Sequence, residues 1–311
     1  MKIRTLSFII PTLNEANNIT ITIEAIRDSI KNLKYEIIVV DNGSTDETLT
    51  ISEALGADTY MEPNATIARL RNVGAIHSSG QILCFIDSDI SITEFWEKEL
   101  SIFLESHELD ELYITGSRCI LDPSDESFIE RNWFSLLQDS KSKYINSGHL
   151  ITTKKAFNTI SGFNDNLVTG EDYDFCQRAK NLGISIIENK NIEAIHRGYP
   201  KSLRQFFLRE AWHGRSDLSS FQNFISSNTA IISFLNIFSL LTFIIGLASE
   251  NTTLTIAGFA TTLLVTISFT IKKFGILPPI QLAKTTFCSY IYMAGRLYSL
   301  FFKRNRPAAR V

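Results

Sequence analysis

The sequence predicts an α/β fold, a mainly parallel sheet flanked by helices, followed by a C-terminal helical membrane region. Three observations carry that expectation. Over roughly the first two hundred residues, short apolar runs alternate with segments of helical periodicity, the pattern of βαβ units. Two of those runs end in an aspartate, Asp41 and Asp87, at the carboxyl ends of strands where α/β sheets bind ligands. Beyond residue 228, two uncharged apolar runs are each long enough to cross a hydrocarbon core.

Taken in order, residues 6–10 form a short apolar run closed by Pro11. Residues 15–30 then carry Ile19, Ile23, Ile26 and Ile30 at helical spacing, so a strand leads into a helix. Residues 35–40 are a second strand, and Asn42-Gly43-Ser44 turns the chain into the helix start at Thr45-Asp46-Glu47-Thr48. Residues 57–61 are a third strand. A helix over 66–79 carries Arg69 and Arg71, Gly80 breaks it, and the central strand follows to Asp87, within the stretch 82–90 that holds the Asp-x-Asp pair. The pattern then loosens: a helix to about residue 104, one strand over 112–121, and a polar loop at Pro123, Ser124 and Asp125. Residues 148–153 read as a strand, 154–160 as a helix and Gly162-Phe163 as a turn. A helix over 175–182, stopped by Gly183, places Gly170-Glu171-Asp172-Tyr173-Asp174 at its N-terminus.

Composition narrows the function. With 311 residues there is room for one large domain or two smaller ones, and a net charge of −3 with pI ≈ 6.0 argues against a nucleic-acid partner. The four cysteines, Cys84, Cys119, Cys176 and Cys288, lie far apart with no Cys-x-x-Cys pair, so neither a zinc site nor a disulfide framework is indicated. Lys2 and Arg4 precede an apolar run, but Pro11 and Asn14-Glu15 follow too soon for a signal peptide. The N-terminal part is therefore expected in the cytoplasm, where the sequons at Asn42, Asn64 and Asn251 carry no meaning.

The central strand is the chemical focus. In extended backbone, positions i and i+2 point the same way, so Asp87 and Asp89 can converge on one cation. A hard divalent ion, Mg or Mn, takes one or two protein carboxylates plus the oxygens of a bound diphosphate. The bland alternative is a solvated turn after a buried strand. Glu171, Asp172 and Asp174 also admit plain helix capping. His196, after a predicted strand over 191–195, is a candidate third metal ligand or a structural histidine.

Together the motifs resemble those of family 2 glycosyltransferases, inverting enzymes of the GT-A fold that use nucleotide-diphospho-sugars. The matching residues are Ile10-Pro11-Thr12-Leu13-Asn14-Glu15, Val40-Asp41-Asn42-Gly43-Ser44-Thr45-Asp46, Arg71-Asn72-Val73-Gly74, Asp87-Ser88-Asp89, Gly162-Phe163 and Glu171-Asp172-Tyr173-Asp174. The resemblance implies that Pro11, Glu15 and Asp41 line the nucleoside pocket and that Arg71 sits near the nucleotide. It implies that Asp87 and Asp89 hold ribose, diphosphate and metal, and that Asp172, with Glu171 beside it, is the catalytic base. Gln205, Arg209 and Trp212 look like a loosened Gln-x-x-Arg-Trp motif of the processive members, which adds Arg209 and Trp212 to the donor-binding set. The displacement of Trp212 points to one sugar per encounter.

The uncharged runs 229–249 and 252–271 are expected to be two membrane spans, joined by a tight external turn at Glu250-Asn251 and followed by cytoplasmic Lys272 and Lys273. A buried helical hairpin is the alternative. The third apolar stretch, 285–302, contains Arg296 and precedes Lys303, Arg304, Arg306 and Arg310, so an interfacial or re-entrant helix is expected. Residues 202–225 interleave aromatics with Arg204, Arg209 and Arg215, which suits a helix at the bilayer surface or one packed on the sheet domain.

The expected organisation is thus a catalytic domain over 1–200, an interfacial segment over 201–227 and a membrane region over 228–311. The expected function is transfer of a sugar to a hydroxyl of a lipid-linked or membrane-proximal acceptor, by a protein held among the lipids of the cytoplasmic membrane with its catalytic domain in the cytoplasm. The alternatives are a polyprenyl-phosphate glycosyl synthase and a non-catalytic sugar-nucleotide-binding membrane subunit.

Overall fold

A computed structural model of the chain describes residues 4–107, 111–124, 126–138, 144–215, 217–218 and 221–301. The elements begin with β1 (Thr5–Thr12), α1 (Ala16–Ser29), β2 (Lys34–Asp41), α2 (Thr48–Ala54), β3 (Asp58–Met61), α3 (Ile67–His77), β4 (Ile82–Ile86) and β5 (Ile90–Ile92). There follow α4 (Trp96–Glu105), β6 (Tyr113–Gly116), β7 (Ile120–Leu121), a π-helical turn (Glu130–Phe134), α5 (Ser135–Gln138), β8 (His149–Thr153), α6 (Lys154–Ile160), α7 (Glu171–Asn181), β9 (Ser185–Glu188) and β10 (Ala194–His196). The last helices are α8 (Leu203–His213), α9 (Phe221–Ser226), α10 (Asn228–Ala248), α11 (Thr252–Phe274) and α12 (Pro279–Tyr298).

The chain forms two compact units, one of Met1–Pro123 with Lys141–Gly198 and one of Ser124–Ser140 with Tyr199–Val311. In the first, seven strands form a sheet in the order β3-β2-β1-β4-β8-β6-β9. The first four run parallel, and β8 is antiparallel to both its neighbours. Alternate side chains serve opposite faces. Phe8, Ile10, Cys84 and Ile86 pack with Ile19, Ile23 and Ile26 of α1 and with Trp96 and Leu100 of α4. Ile9, Leu83 and Phe85 pack on the other face with Phe157 of α6 and Phe175 of α7. Burial on both faces is why these strands read as unbroken apolar runs rather than alternating ones.

A second sheet, β5-β10-β7, decides the site. Its middle strand pairs His196 with Ile90 on one side and Leu121 on the other. Two sequence expectations change here. The run over 112–121 is not one strand: at Ser117, whose hydroxyl donates to the Ile192 carbonyl at 2.6 Å, the chain leaves β6 and re-forms in the second sheet as β7. Nor is the run over 82–90 extended throughout. The Ile90 N–H donates to the Asp87 carbonyl at 3.0 Å, closing a turn between β4 and β5. Asp87 and Asp89 therefore sit on a turn, and the strand alternation that would aim them alike does not apply.

In the second unit, Trp133 and Phe134 of the π-helical turn are buried. Trp133 packs against Phe206 of α8, Phe274 of α11 and Tyr292 of α12 at ring distances of 5.3, 5.0 and 4.8 Å. The Lys273 ammonium lies over the same ring at 5.4 Å. The expected single interfacial helix over 202–225 is instead α8 and α9, separated after Gly214. Within α8, buried Glu210 pairs with Arg209 and with Arg296 of α12, and Arg296 also reaches Asp217 at 3.0 Å. The third apolar stretch is helical from Pro279 to Tyr298; Phe302, Lys303, Arg304, Arg306 and Arg310 lie outside the described residues, as does Asp125.

Helices α10 and α11 are long and apolar enough to cross a membrane, with mean hydropathies of 2.3 and 1.9. Their polarity is inverted relative to a water-soluble pair. Buried positions are Ala230, Ser233, Asn236, Ser239, Gly246, Gly258, Thr266, Phe269 and Thr270, of which only Phe269 is large and apolar, whereas Phe234, Phe238, Leu241, Ile245, Phe259 and Leu264 are exposed. Asn236 donates to the Thr266 hydroxyl at 2.7 Å and Thr262 to Ser239 at 3.0 Å. The backbones meet at the glycines, where a Cβ on Gly258 would lie 2.3 Å from the Phe243 nitrogen and one on Gly246 2.4 Å from the Thr255 nitrogen.

Candidate active site

Because β1, β2 and β4 are parallel neighbours, their carboxyl ends share one edge of the sheet, and the turns beyond them hold the polar residues. Asp41, fully buried at the end of β2, accepts from the Gly43 and Ser44 N–H groups at 2.8 and 2.7 Å and from the Thr12 hydroxyl at 2.9 Å. The turn after β1 is clasped to the turn after β2. Asn14 accepts from the Thr45 N–H at 2.8 Å, and the Thr48 hydroxyl accepts from the N–H of Glu15 at 2.8 Å. Pro11 is buried beside Val40 within the sheet. The family motif residues Pro11, Glu15 and Asp41 are thus gathered at one place, with Asp41 shaping the wall through its backbone bonds.

Arg71 of α3, only 1% exposed, joins two parts of the site. Its guanidinium donates to Asp87 at 2.6 Å and to Glu171 at 2.8 Å, and lies over the Phe163 ring at 5.8 Å. Burial opposes its charge, but Asp87 and Glu171 outweigh that and raise its pKa, so the guanidinium stays charged. Arg71 is therefore enclosed beneath the site, bridging residues 16 and 100 positions away in the chain.

Asp89, 1% exposed, faces His196, with Asp89 Oδ2 3.5 Å from His196 Nδ1. That nitrogen also accepts from the Gly198 N–H at 3.1 Å. An acceptor nitrogen facing a carboxylate oxygen is a natural place for a cation or a proton. Among the described residues no group of three or more His, Cys, Asp or Glu side chains converges tightly enough to hold a metal alone. A carboxylate and an imidazole are nevertheless a suitable protein share for a divalent ion completed by substrate phosphates. Asp87, which the sequence pairs with Asp89, is instead held on one oxygen by Arg71.

Gly170, with φ of +80°, precedes α7, and Glu171 and Asp172 occupy its buried first turn. Glu171 accepts from Arg71 and from the Ser147 hydroxyl at 3.0 Å, both on the same oxygen. Asp172 accepts from the Tyr173 N–H at 2.7 Å. Burial, and then the charge of Glu171, push its pKa up to about 7, against the pull of backbone bonds and Arg71. A carboxylate titrating there is matched to general-base work at neutral pH. Asp174 forms a salt bridge one turn along with Arg178, at 2.8 Å.

Residues 144–147, which carry no periodicity in the sequence, run with Gly148 from Asp172 to Asp87. Tyr144 packs against Tyr173, Ser147 anchors Glu171, and a Cβ on Gly148 would stand 2.8 Å from Asp87 Oδ2. The only local signal is the small Ser147-Gly148 pair before a strand. Arg209 and Trp212 belong to the second unit. There Arg209 pairs with Glu210 and lies over the Phe134 ring at 5.1 Å, and the Trp212 ring lies under Arg215 at 5.0 Å.

A family model described as Glycosyl transferase family 2 matches residues 7–158, the stretch from β1 into α6. Just under half of the chain thus matches that family. Among the relatives, glycosyltransferase AglE of Haloferax volcanii is 28% identical over 210 residues, covering 62% of this chain and 67% of AglE. The poly(ribitol-phosphate) beta-N-acetylglucosaminyltransferase TarS of Staphylococcus aureus is 30% identical over 115 residues, covering 35% of this chain and 20% of TarS. The match therefore spans about two thirds of the one and a fifth of the other. Mannosyltransferase PcManGT of Pyrobaculum calidifontis, solved in complex with GDP-Man and Mn2+, superposes with a TM-score of 0.58 at 16% identity, over 96% of this chain and 87% of that one. At that identity the likeness is one of fold, and the fold is GT-A-like.

Proposed function

We propose that this chain is a family 2 glycosyltransferase that moves a sugar from a nucleotide-diphospho-sugar to a hydroxyl of a lipid-linked or membrane-proximal acceptor, inverting the anomeric carbon. One observation carries the hydroxyl assignment: Asp172, a buried carboxylate raised to about 7 and fixed at the start of α7. A hydroxyl holds its proton at neutral pH and needs such a base; its oxygen bonds to the anomeric carbon as the bond to the diphosphate breaks, the proton passing to Asp172 and the electron pair leaving with the nucleotide. Glu171, tied to Arg71 and Ser147, positions Asp172 and keeps a negative charge beside it. Asp41, Glu15 and Pro11 form the nucleoside wall.

Asp89 and His196 are the residues that would hold a divalent cation, Mg or Mn, whose Lewis acidity would stabilise charge on the departing diphosphate. The Mn2+ present with GDP-Man in PcManGT supports that assignment. In calorimetric titrations of UDP- and GDP-sugars, Mn2+ should strengthen binding of the preferred donor by at least about tenfold in the wild type and by less than twofold in Asp89→Ala. Equal metal enhancement in both proteins would refute the assignment.

The inverted polarity of α10 and α11 supports insertion in the cytoplasmic membrane. Small and hydroxyl-bearing residues meet inside the hairpin while the aromatic and aliphatic ones face outward, the arrangement that lipid favours and water penalises. With the catalytic unit in the cytoplasm, cysteines placed at Asn251 and Lys273 in a cysteine-free background should be labelled by an impermeant reagent from opposite sides of the membrane. Labelling of both from one side would exclude the hairpin.

A further inference from the structure

Beside the base lies a pair of aromatic rings that the transfer chemistry does not use. Tyr173 follows Asp172 in the first turn of α7 and is 52% exposed, unusual for a large ring at the mouth of a buried site. Its centroid is 5.7 Å from that of Tyr144, and the rings stand at 89°. Tyr144 is half-buried and within electrostatic reach of the Asp172 carboxylate and the Arg118 guanidinium. Tyr144 thus stands between the two: it interacts with the Asp172 carboxylate and braces the Tyr173 ring edge-on.

We infer that Tyr173, braced by Tyr144, is an acceptor-binding platform on which a pyranose ring stacks, so that the group receiving the transferred sugar is itself a sugar. This rests on the hydroxyl-acceptor assignment and narrows it. A pyranose presents a face of C–H bonds made positive by the ring and hydroxyl oxygens, and the aromatic face is the negative end of a quadrupole, so the two are complementary. A bracing neighbour at right angles removes the entropic cost of fixing the platform on binding. The group nearest the platform selects against the other acceptor chemistry: Glu171 is paired with Arg71 and Asp174 with Arg178, but Asp172, when ionised, would repel an anionic phosphate. A neutral sugar meets no such repulsion, and the phenol of Tyr173 supplies a further hydrogen-bonding group at the rim.

The test titrates a set of octyl hexopyranosides, with farnesyl phosphate alongside, into the full chain held in lipid nanodiscs with Mn2+ and the nucleoside diphosphate. At least one hexopyranoside should bind. Tyr173→Ala should weaken it about tenfold, while Tyr173→Phe and Tyr173→Trp stay within threefold of wild type. Nucleoside diphosphate affinity, which reports folding, should stay within twofold in all three. With the glycoside as acceptor, Tyr173→Ala should raise its KM and leave kcat within about threefold. Binding of farnesyl phosphate but of no hexopyranoside, binding of neither, or equal glycoside affinity in wild type and Tyr173→Ala would each overturn the platform. Equal losses in Tyr173→Phe and Tyr173→Ala would do so as well, because a ring platform does not need the hydroxyl. Failure of the base assignment looks different: Asp172→Asn would then keep its turnover whatever happens at Tyr173.

Discussion

Asp172→Asn lowers kcat by ~10²–10⁴ with saturating donor while leaving donor affinity within about twofold. The amide keeps the size of the carboxyl and its bond from the Tyr173 N–H but cannot take a proton. Donor affinity is insulated because the proposed nucleoside wall at Asp41 ends β2, and Asp89 and His196 lie on the turn after β4 and on β10, none of them on α7. The same substitution separates acceptor classes. A phosphate monoester oxygen is already ionised near neutral pH and needs no base, so turnover within about threefold of wild type would transfer the assignment to a polyprenyl-phosphate acceptor.

Arg71→Met destabilises the fold by about 3–5 kcal/mol and abolishes turnover. The guanidinium is enclosed, and its removal leaves Asp87 and Glu171 as uncompensated charges where water cannot reach them well. Adding Glu171→Gln should recover part of the loss, since it removes one of the stranded charges, and the two effects should be non-additive. Lysine is a poor substitute, because one ammonium cannot reproduce the fork that reaches both carboxylates. Thermal unfolding of the detergent-solubilised chain measures this; a loss below 1 kcal/mol for Arg71→Met would show that the bridge is not what holds the two halves of the site together. In any fraction that folds, Asp172 loses a nearby positive charge, so its pKa moves further upward.

The parallel half of the sheet was legible because its strands are buried on both faces: Ile9, Ile10, Leu83 and Phe85 all had to be apolar. Asp41, Asp87 and Asp172 were legible because each ends an apolar run or opens a helix. The pairings that make them a site were not. Arg71 with Glu171, and Asp89 with His196, join positions about a hundred residues apart, and no local periodicity encodes such contacts. The expectation that Asp87 and Asp89 point alike failed for a local reason, a backbone turn at Asp87 that hydropathy cannot register. Trp133 and Phe134 were lost behind the loop signal of Pro123 and Ser124, yet their partners lie in the C-terminal helices, far along the chain. The inward polar face of the α10–α11 hairpin was hidden too, since Asn236 and Thr266 become partners only when the helices are paired.

The pH dependence of kcat in wild type and Asp172→Asn decides whether Asp172 takes the proton of a hydroxyl acceptor. A base whose pKa is raised is protonated, and idle, below that value. Wild-type kcat should therefore rise tenfold per pH unit below about 7 and level off above it. In Asp172→Asn the residual rate should be low and flat over the same range. If the rising limb survives in Asp172→Asn with an unchanged midpoint, the ionising group belongs to the acceptor or to another residue, and Asp172 is not the base.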